Sequence, residues 1–137
     1  MVAVLVCYNE GMEENTYTLK QAGLALGVSI YEVRHYCDRG LVRGVRRRRN
    51  GYRYLSEKQL EWVGILVMLR KCGFGIKEMK KYVRLAEQGE GTLQERRAML
   101  ETQKRQLWQE IYALQEGIDT AERLGELMDI DSRQNAE

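Results

Sequence analysis

From Thr92 to about Met128 the chain has no residue that breaks a helix more strongly than an isolated glycine. Thr92 and Glu95 have the spacing of a capping box, so a helix is expected to start there. At 1.5 Å per residue, positions 93 to 128 extend about 54 Å, too far for one small domain to cover their apolar side. Leu93, Leu100, Leu107, Leu114, Ala121 and Met128 recur at sevens, and Ile111 and Ile118 fill the second heptad position between them. Leu93, Leu100, Leu107, Ile111, Leu114 and Ile118 are therefore the expected dimerisation residues. Arg97, Lys104 and Gly125 take that second position elsewhere, so the seam is most apolar in its middle. The competing reading is a single amphipathic helix packed on its own domain, and length argues against it.

Only about ninety residues precede this helix in a chain of 137, room for one compact domain but not for a second folded ligand-binding or catalytic one. The longest apolar runs, such as Gly64 to Leu69, fall far short of the roughly 18 residues that span a bilayer. Met1 to Cys7 is apolar but too short for a signal segment and lacks a basic start, so a cytoplasmic protein with no membrane partner is expected. Cys7, Cys37 and Cys72 stand thirty or more residues apart, which fits neither paired metal ligands nor a disulfide framework. With one histidine, His35, and no phosphate-cradling glycine loop or nucleophile motif, neither an enzyme nor a cofactor is expected.

The net charge of +2 hides a strong polarity. Residues 17–84 hold sixteen Lys and Arg against five Asp and Glu, whereas residues 85–137 hold six against twelve. A basic block ahead of an acidic one suits docking of the first on a polyanion, with nucleic acid the leading partner.

Within the basic block, Thr18 and Gly27 bracket a short helix from Leu19 to Leu26 as cap and left-handed stop. Ser29 caps a second, Ile30 to Arg39, whose inner face is read as Ile30, Val33 and Cys37. Two short helices joined at a glycine form a helix-turn-helix. Leu41 to Val45 then runs into four arginines, Asn50-Gly51 and Tyr52 to Leu55. Asn-Gly between β-prone runs signals a hairpin with a type I′ turn, here a wing. Ser56 and Gln59 cap a third helix to about Cys72, with Leu60, Val63, Leu66, Val67 and Leu69 on or near its buried side. A fourth covers about Ile76 to Glu87 and stops in a glycine-rich boundary.

The expected fold is mainly α: a winged helix-turn-helix, a helical hairpin and a long C-terminal dimerisation helix. Its parts are a loose tail at 1–16, a DNA-binding domain with linking helices at 17–88, a coiled-coil helix at 89–128 and a polar tail at 129–137. A recognition helix presents polar groups to base edges and donors to phosphates, and Ser29, Tyr31, Arg34, His35 and Tyr36 occupy its outward positions. Glu32 repels phosphate there unless it accepts from a cytosine amine or is turned aside. The wing adds Arg43, Arg46, Arg47, Arg48, Arg49, Asn50, Tyr52 and Arg53, with alternate arginines on opposite faces of the strand, and Thr18 completes the set. Cys72 has two readings: a sensor thiol activated by Arg70, Lys71 and Lys77, or a small hydrophobe at the end of an apolar stripe.

In order and spacing, Tyr17-Thr18-Leu19, Gly27-Val28-Ser29, Val33 to Tyr36, Gly40-Leu41 and Asn50 to Arg53 resemble the MerR family of transcription regulators. Leu60-Glu61-Trp62, Leu69-Arg70 and Thr92 to Arg96 look like its small AdhR/NmlR-like branch, which responds to stress. The resemblance implies a homodimer with an antiparallel coiled coil on a near-palindromic promoter site in double-stranded DNA. It also implies action by DNA distortion, which serves RNA polymerase indirectly. Tyr31, Arg34, His35 and Tyr36 match the family's recognition-helix contacts, and Arg53 its wing arginine. Gly44 stands where the family often has proline, and the cysteines of its metal sensors are missing, which disfavours a metal effector. The alternative is a coiled-coil interaction adaptor whose basic face is incidental.

Overall fold

The computed structural model describes residues 15–136; all but the last two residues of the tail expected at 1–16, Cys7 included, lie outside the described residues. Strand β1 (Thr16–Thr18) leads into helices α1 (Leu19–Leu26) and α2 (Ile30–Asp38). The wing strands β2 (Arg46–Arg47) and β3 (Arg53–Ser56) follow, then α3 (Glu57–Lys71), α4 (Ile76–Glu87), a 3-10 turn (Glu90–Thr92) and α5 (Leu93–Asn135). Two compact units result, one ending at Arg96 and one beginning at Arg97.

Local chemistry accounts for the helix starts. The Thr18 hydroxyl accepts from the Gln21 amide at 3.1 Å while the Gln21 side chain accepts from the Thr18 amide at 2.9 Å, and Ser56 and Gln59 repeat the arrangement at α3. Gly27, at φ 71°, closes α1 in the left-handed conformation. Leu60, Val63, Leu66, Val67 and Leu69 of α3 are buried, together with Leu19 and Ala22 of α1, Val33 and Tyr36 of α2, Leu55 of β3, and Met79 and Val83 of α4. This is one core shared by α1 to α4.

Four local expectations are corrected. Residues 16–18 are a strand, because β3 has two edges and β1 pairs with one of them in register Thr16 to Ser56, while β2 takes the other. Leu41 and Val42 are core residues rather than strand residues; the Trp62 indole donates to the Leu41 carbonyl at 2.8 Å and fixes that segment over α3. The wing turn is not type I′, since Asn50 does not take positive φ and only Gly51 does, at 85°. The Gly51 amide donates to the Arg48 carbonyl and the Arg48 amide to the Tyr52 carbonyl, which makes a three-residue loop. Finally, Thr92 is buried and its hydroxyl points to the Leu85 and Gly89 carbonyls at 2.6 and 2.8 Å instead of capping α5 with Glu95.

In the second unit α5 continues past residue 128 to Asn135, so most of the segment expected as a polar tail is helical. It has 43 residues, about 65 Å, and none of them is buried. No helix among the described residues is long and apolar enough to cross a membrane.

The turn between α1 and α2 depends on Gly23. A Cβ there would lie 2.7 Å from the Val28 carbonyl oxygen, which the backbone holds in place through a 2.9 Å bond from the Val28 amide to the Gly23 carbonyl. Gly23→Ala is therefore expected to destabilise the first unit by about 1–3 kcal/mol, read from the midpoint of urea unfolding.

Candidate nucleic-acid interface

The N-terminal end of α1, the start of α2 and the inner face of the wing enclose a groove of about 860 Å³. Its cationic lining is Lys20, Arg34, Arg47, Arg48 and Arg53, with no acidic side chain among the lining residues. Five guanidinium and ammonium groups on one concave face focus a positive potential that suits a polyphosphate backbone.

Strand register explains the selection. Arg47 pairs with Arg53 across β2 and β3, and paired positions share a face, so both reach the groove. Arg46 pairs with Tyr54 and falls on the other face, beside Gly44 and Gln59. The arginines are also tied down. Arg47 donates to the Gly51 carbonyl at 2.8 Å, and Arg48 donates to the Thr16 hydroxyl at 2.8 Å and lies over the Tyr54 ring at 5.2 Å. Arg53, mostly covered, pairs with Asp38 at the end of α2 at 2.7 Å. That bond straps the wing to the second helix, so Arg53 is a strut as well as a lining cation. Such tethers lower the entropy that a long side chain loses on binding.

On α2, Tyr31, Arg34 and His35 are exposed, and the Arg34 guanidinium sits 5.5 Å from the centre of the Tyr31 ring. Tyr36 does not belong with them. Its ring is buried, 1% exposed, and its hydroxyl donates to the Glu32 carboxylate at 2.5 Å. The helix turns its inner face through Val33 and Tyr36, three apart, with Cys37 only half-buried. Burial first, then the Glu32 hydrogen bond and charge, hold the Tyr36 phenol far above its ordinary pKa, so it stays a donor. Glu32 is thereby turned aside. Burial likewise pushes the Cys37 thiol pKa up, against the opposing charge of Arg53.

Other expected residues serve the scaffold or lie elsewhere. The Ser29 hydroxyl caps α2 by accepting from the Glu32 amide at 3.1 Å, and the Asn50 side chain accepts from the Tyr52 amide at 3.1 Å. Thr18, Asn50 and Tyr52 do line the groove, while Arg49 is exposed on the wing loop. Arg43 is outside it. Its guanidinium grips Glu87 of α4 through bonds of 2.6 and 3.1 Å, a pairing across 44 residues that no local pattern announces. Cys72 is the half-buried residue that ends α3, its amide directed to the Met68 and Arg70 carbonyls. Lys20 and Gln21 were missed, although a helix beginning at Thr18 places both in its first turn, where backbone amides and side chains can meet phosphate together. Among the described residues no cluster of three His, Cys, Asp or Glu could hold a metal ion.

Residues 17–86, which include α1, α2, the wing strands β2 and β3, and α3, match the model of the MerR HTH family of regulatory proteins. The chain belongs to the MerR family. Relatives agree: an uncharacterised HTH-type transcriptional regulator of Haemophilus influenzae is 31% identical over 107 residues, 78% of this chain and 79% of that protein. The HTH-type transcriptional regulator AdhR of Bacillus subtilis is 25% identical over 65% of this chain and 64% of its own length. Among solved structures, HiNmlR, a MerR family regulator lacking the sensor domain and bound to promoter DNA, superposes with a TM-score of 0.61 at 30% identity. The match covers 79% of this chain and 86% of HiNmlR. MtaN, the N-terminus of a Bacillus subtilis multidrug transporter activator, gives 0.64 at 28% identity over 78% of this chain and 95% of MtaN.

As a MerR-family protein the chain should show a clear division among its arginines. Arg47→Ala is expected to weaken duplex binding uniformly across sequences and to reduce the slope of log affinity against log salt by about one, whereas Arg43→Ala should leave that slope unchanged. Fluorescence anisotropy at several salt concentrations measures both.

Proposed function

We propose that this protein is a DNA-binding transcription regulator that holds a near-palindromic promoter site as a homodimer and acts by distorting the duplex. The cationic groove between α1, α2 and the wing carries this reading, since it joins a helix able to enter a major groove to a rigid phosphate clamp. Tyr31, Arg34 and His35 are the base-facing candidates; Lys20, Arg47, Arg48 and Arg53 are the phosphate clamp. HiNmlR, similar over most of its length, was solved on promoter DNA. The unburied α5 supports the dimer.

Distortion is energetically accessible. Bending 20–30 base pairs costs on the order of 1–6 kcal/mol, which two clamps of several phosphate contacts can offset. RNA polymerase then gains indirectly, through altered geometry of the promoter. The relatives are bacterial, so the site of action is the cytoplasm, where the chromosome lies. The role is regulatory rather than catalytic.

Footprinting on the DNA upstream of the protein's own gene, with affinity measured against salt, tests the reading. Two protected half-sites and a loss of about 10³ to 10⁵ in affinity between 50 and 200 mM salt are expected for 6–10 phosphate contacts. An adaptor with an incidental basic face would protect nothing and respond little. Leu107→Asp with Ile111→Asp is expected to give a monomer in sedimentation that binds poorly, because four charges per dimer would enter the seam.

A further inference from the structure

A short connection with two glycines, Gly89 and Gly91, joins α4 to α5, and such a connection bends freely unless something holds it. Gly89 takes φ 90° and ψ −161°, a conformation essentially confined to glycine, and a Cβ at Gly91 would meet nothing within 4 Å. What holds the connection is Thr92, the one buried aliphatic hydroxyl among the described residues. That hydroxyl donates to the Leu85 carbonyl near the end of α4 at 2.6 Å and lies 2.8 Å from the Gly89 carbonyl. Arg96, in the first turn of α5, donates through Nε to the same hydroxyl oxygen at 3.1 Å. Its guanidinium also sits 5.7 Å from the centre of the Tyr82 ring on α4. A closed set of contacts thus runs from α4 through the turn to the start of α5, all of it inside the first unit.

A hydroxyl that donates and accepts at once is satisfied without water, so opening the turn breaks both bonds and loosens the angle between α4 and the first turn of α5. Neither Thr92 nor Arg96 lines the cationic groove, so their effect on DNA binding is geometric. In B-DNA each base pair added between two half-sites moves them about 3.4 Å apart and turns one against the other by roughly 35°. A stiff joint suits one such arrangement, and a loose joint suits several. We propose that the bonds of Thr92 and Arg96 set which separation of two half-sites the protein accepts, with both side chains acting as positioning residues. α5 is one continuous helix, and a fixed angle at its start is what it can transmit to a second copy. This rests on the homodimer reading and adds to it the residues that fix the half-site separation.

Fluorescence anisotropy of the full-length protein tests it, on duplexes whose two half-sites are separated in steps of one base pair, with one half-site alone as reference. The wild type is expected to bind about tenfold more weakly when one base pair is added or removed, because both grooves cannot then engage together. Thr92→Val and Arg96→Ala should bind the single half-site as the wild type does, yet lose only about twofold for the same change. Thr92→Ser, which keeps the hydroxyl, should keep the wild-type profile. An unchanged profile in Thr92→Val and Arg96→Ala overturns the proposal, and so does a uniform drop in affinity at every separation, the mark of a purely structural role. A Thr92→Ser profile as flat as that of Thr92→Val overturns it as well. Should circular dichroism show Thr92→Val unfolded at the assay temperature, Arg96→Ala, altered at a half-covered position, decides alone. Sedimentation separates the two readings. One wild-type chain per duplex overturns the homodimer and this inference together, whereas two chains indifferent to separation overturn this inference only.

Discussion

A helix of 43 residues that buries none of them cannot be the end point of folding for a single chain. Its exposed Leu114, Ile111 and Ile118 cost free energy in water, and a second copy of the same helix offers matching heptads. Two copies mean two grooves, and two grooves related by a two-fold axis can read a palindrome that one could not. The acidic balance of residues 85–137 sets that segment apart from the basic block in charge.

Within one groove, the arginines differ in how they are held. Arg46 and Arg49 add to the general field, but Arg47, Arg48 and Arg53 are each fixed by a carbonyl, a hydroxyl or a carboxylate. The Arg53 to Asp38 pair is the key tether, since it links the wing to α2 at a partly covered site where an ion pair is screened less than on an open surface. Glu32 shows the same logic in reverse. A carboxylate free on the outer side of α2 would oppose an anionic ligand, and the buried Tyr36 hydroxyl draws it away.

Much of this was legible because helix caps are local. Thr18 with Gly27, Ser29, and Ser56 with Gln59 placed three helix starts, and the apolar spacing of α3 named five core residues. What escaped depends on partners distant in the chain. Strand β1 is three residues long without alternation, and only β3, nearly forty residues on, makes it a strand. Tyr36 and Cys37 both lie near the inner edge of α2, and choosing between them requires the packing of the other helices. Arg43 looked like one more wing cation because Glu87 is 44 residues away. The wing turn failed differently: Asn-Gly announced a hairpin correctly, but the loop length that sets the turn type was misread by one residue.

Sedimentation of the protein with fluorescent duplexes carrying one or two half-sites tests the central claim, that two copies joined through α5 grip DNA with two grooves. Two chains per two-site duplex, with far weaker binding to the single half-site, is the predicted result. One chain per duplex, bound equally well by both DNAs, would contradict it.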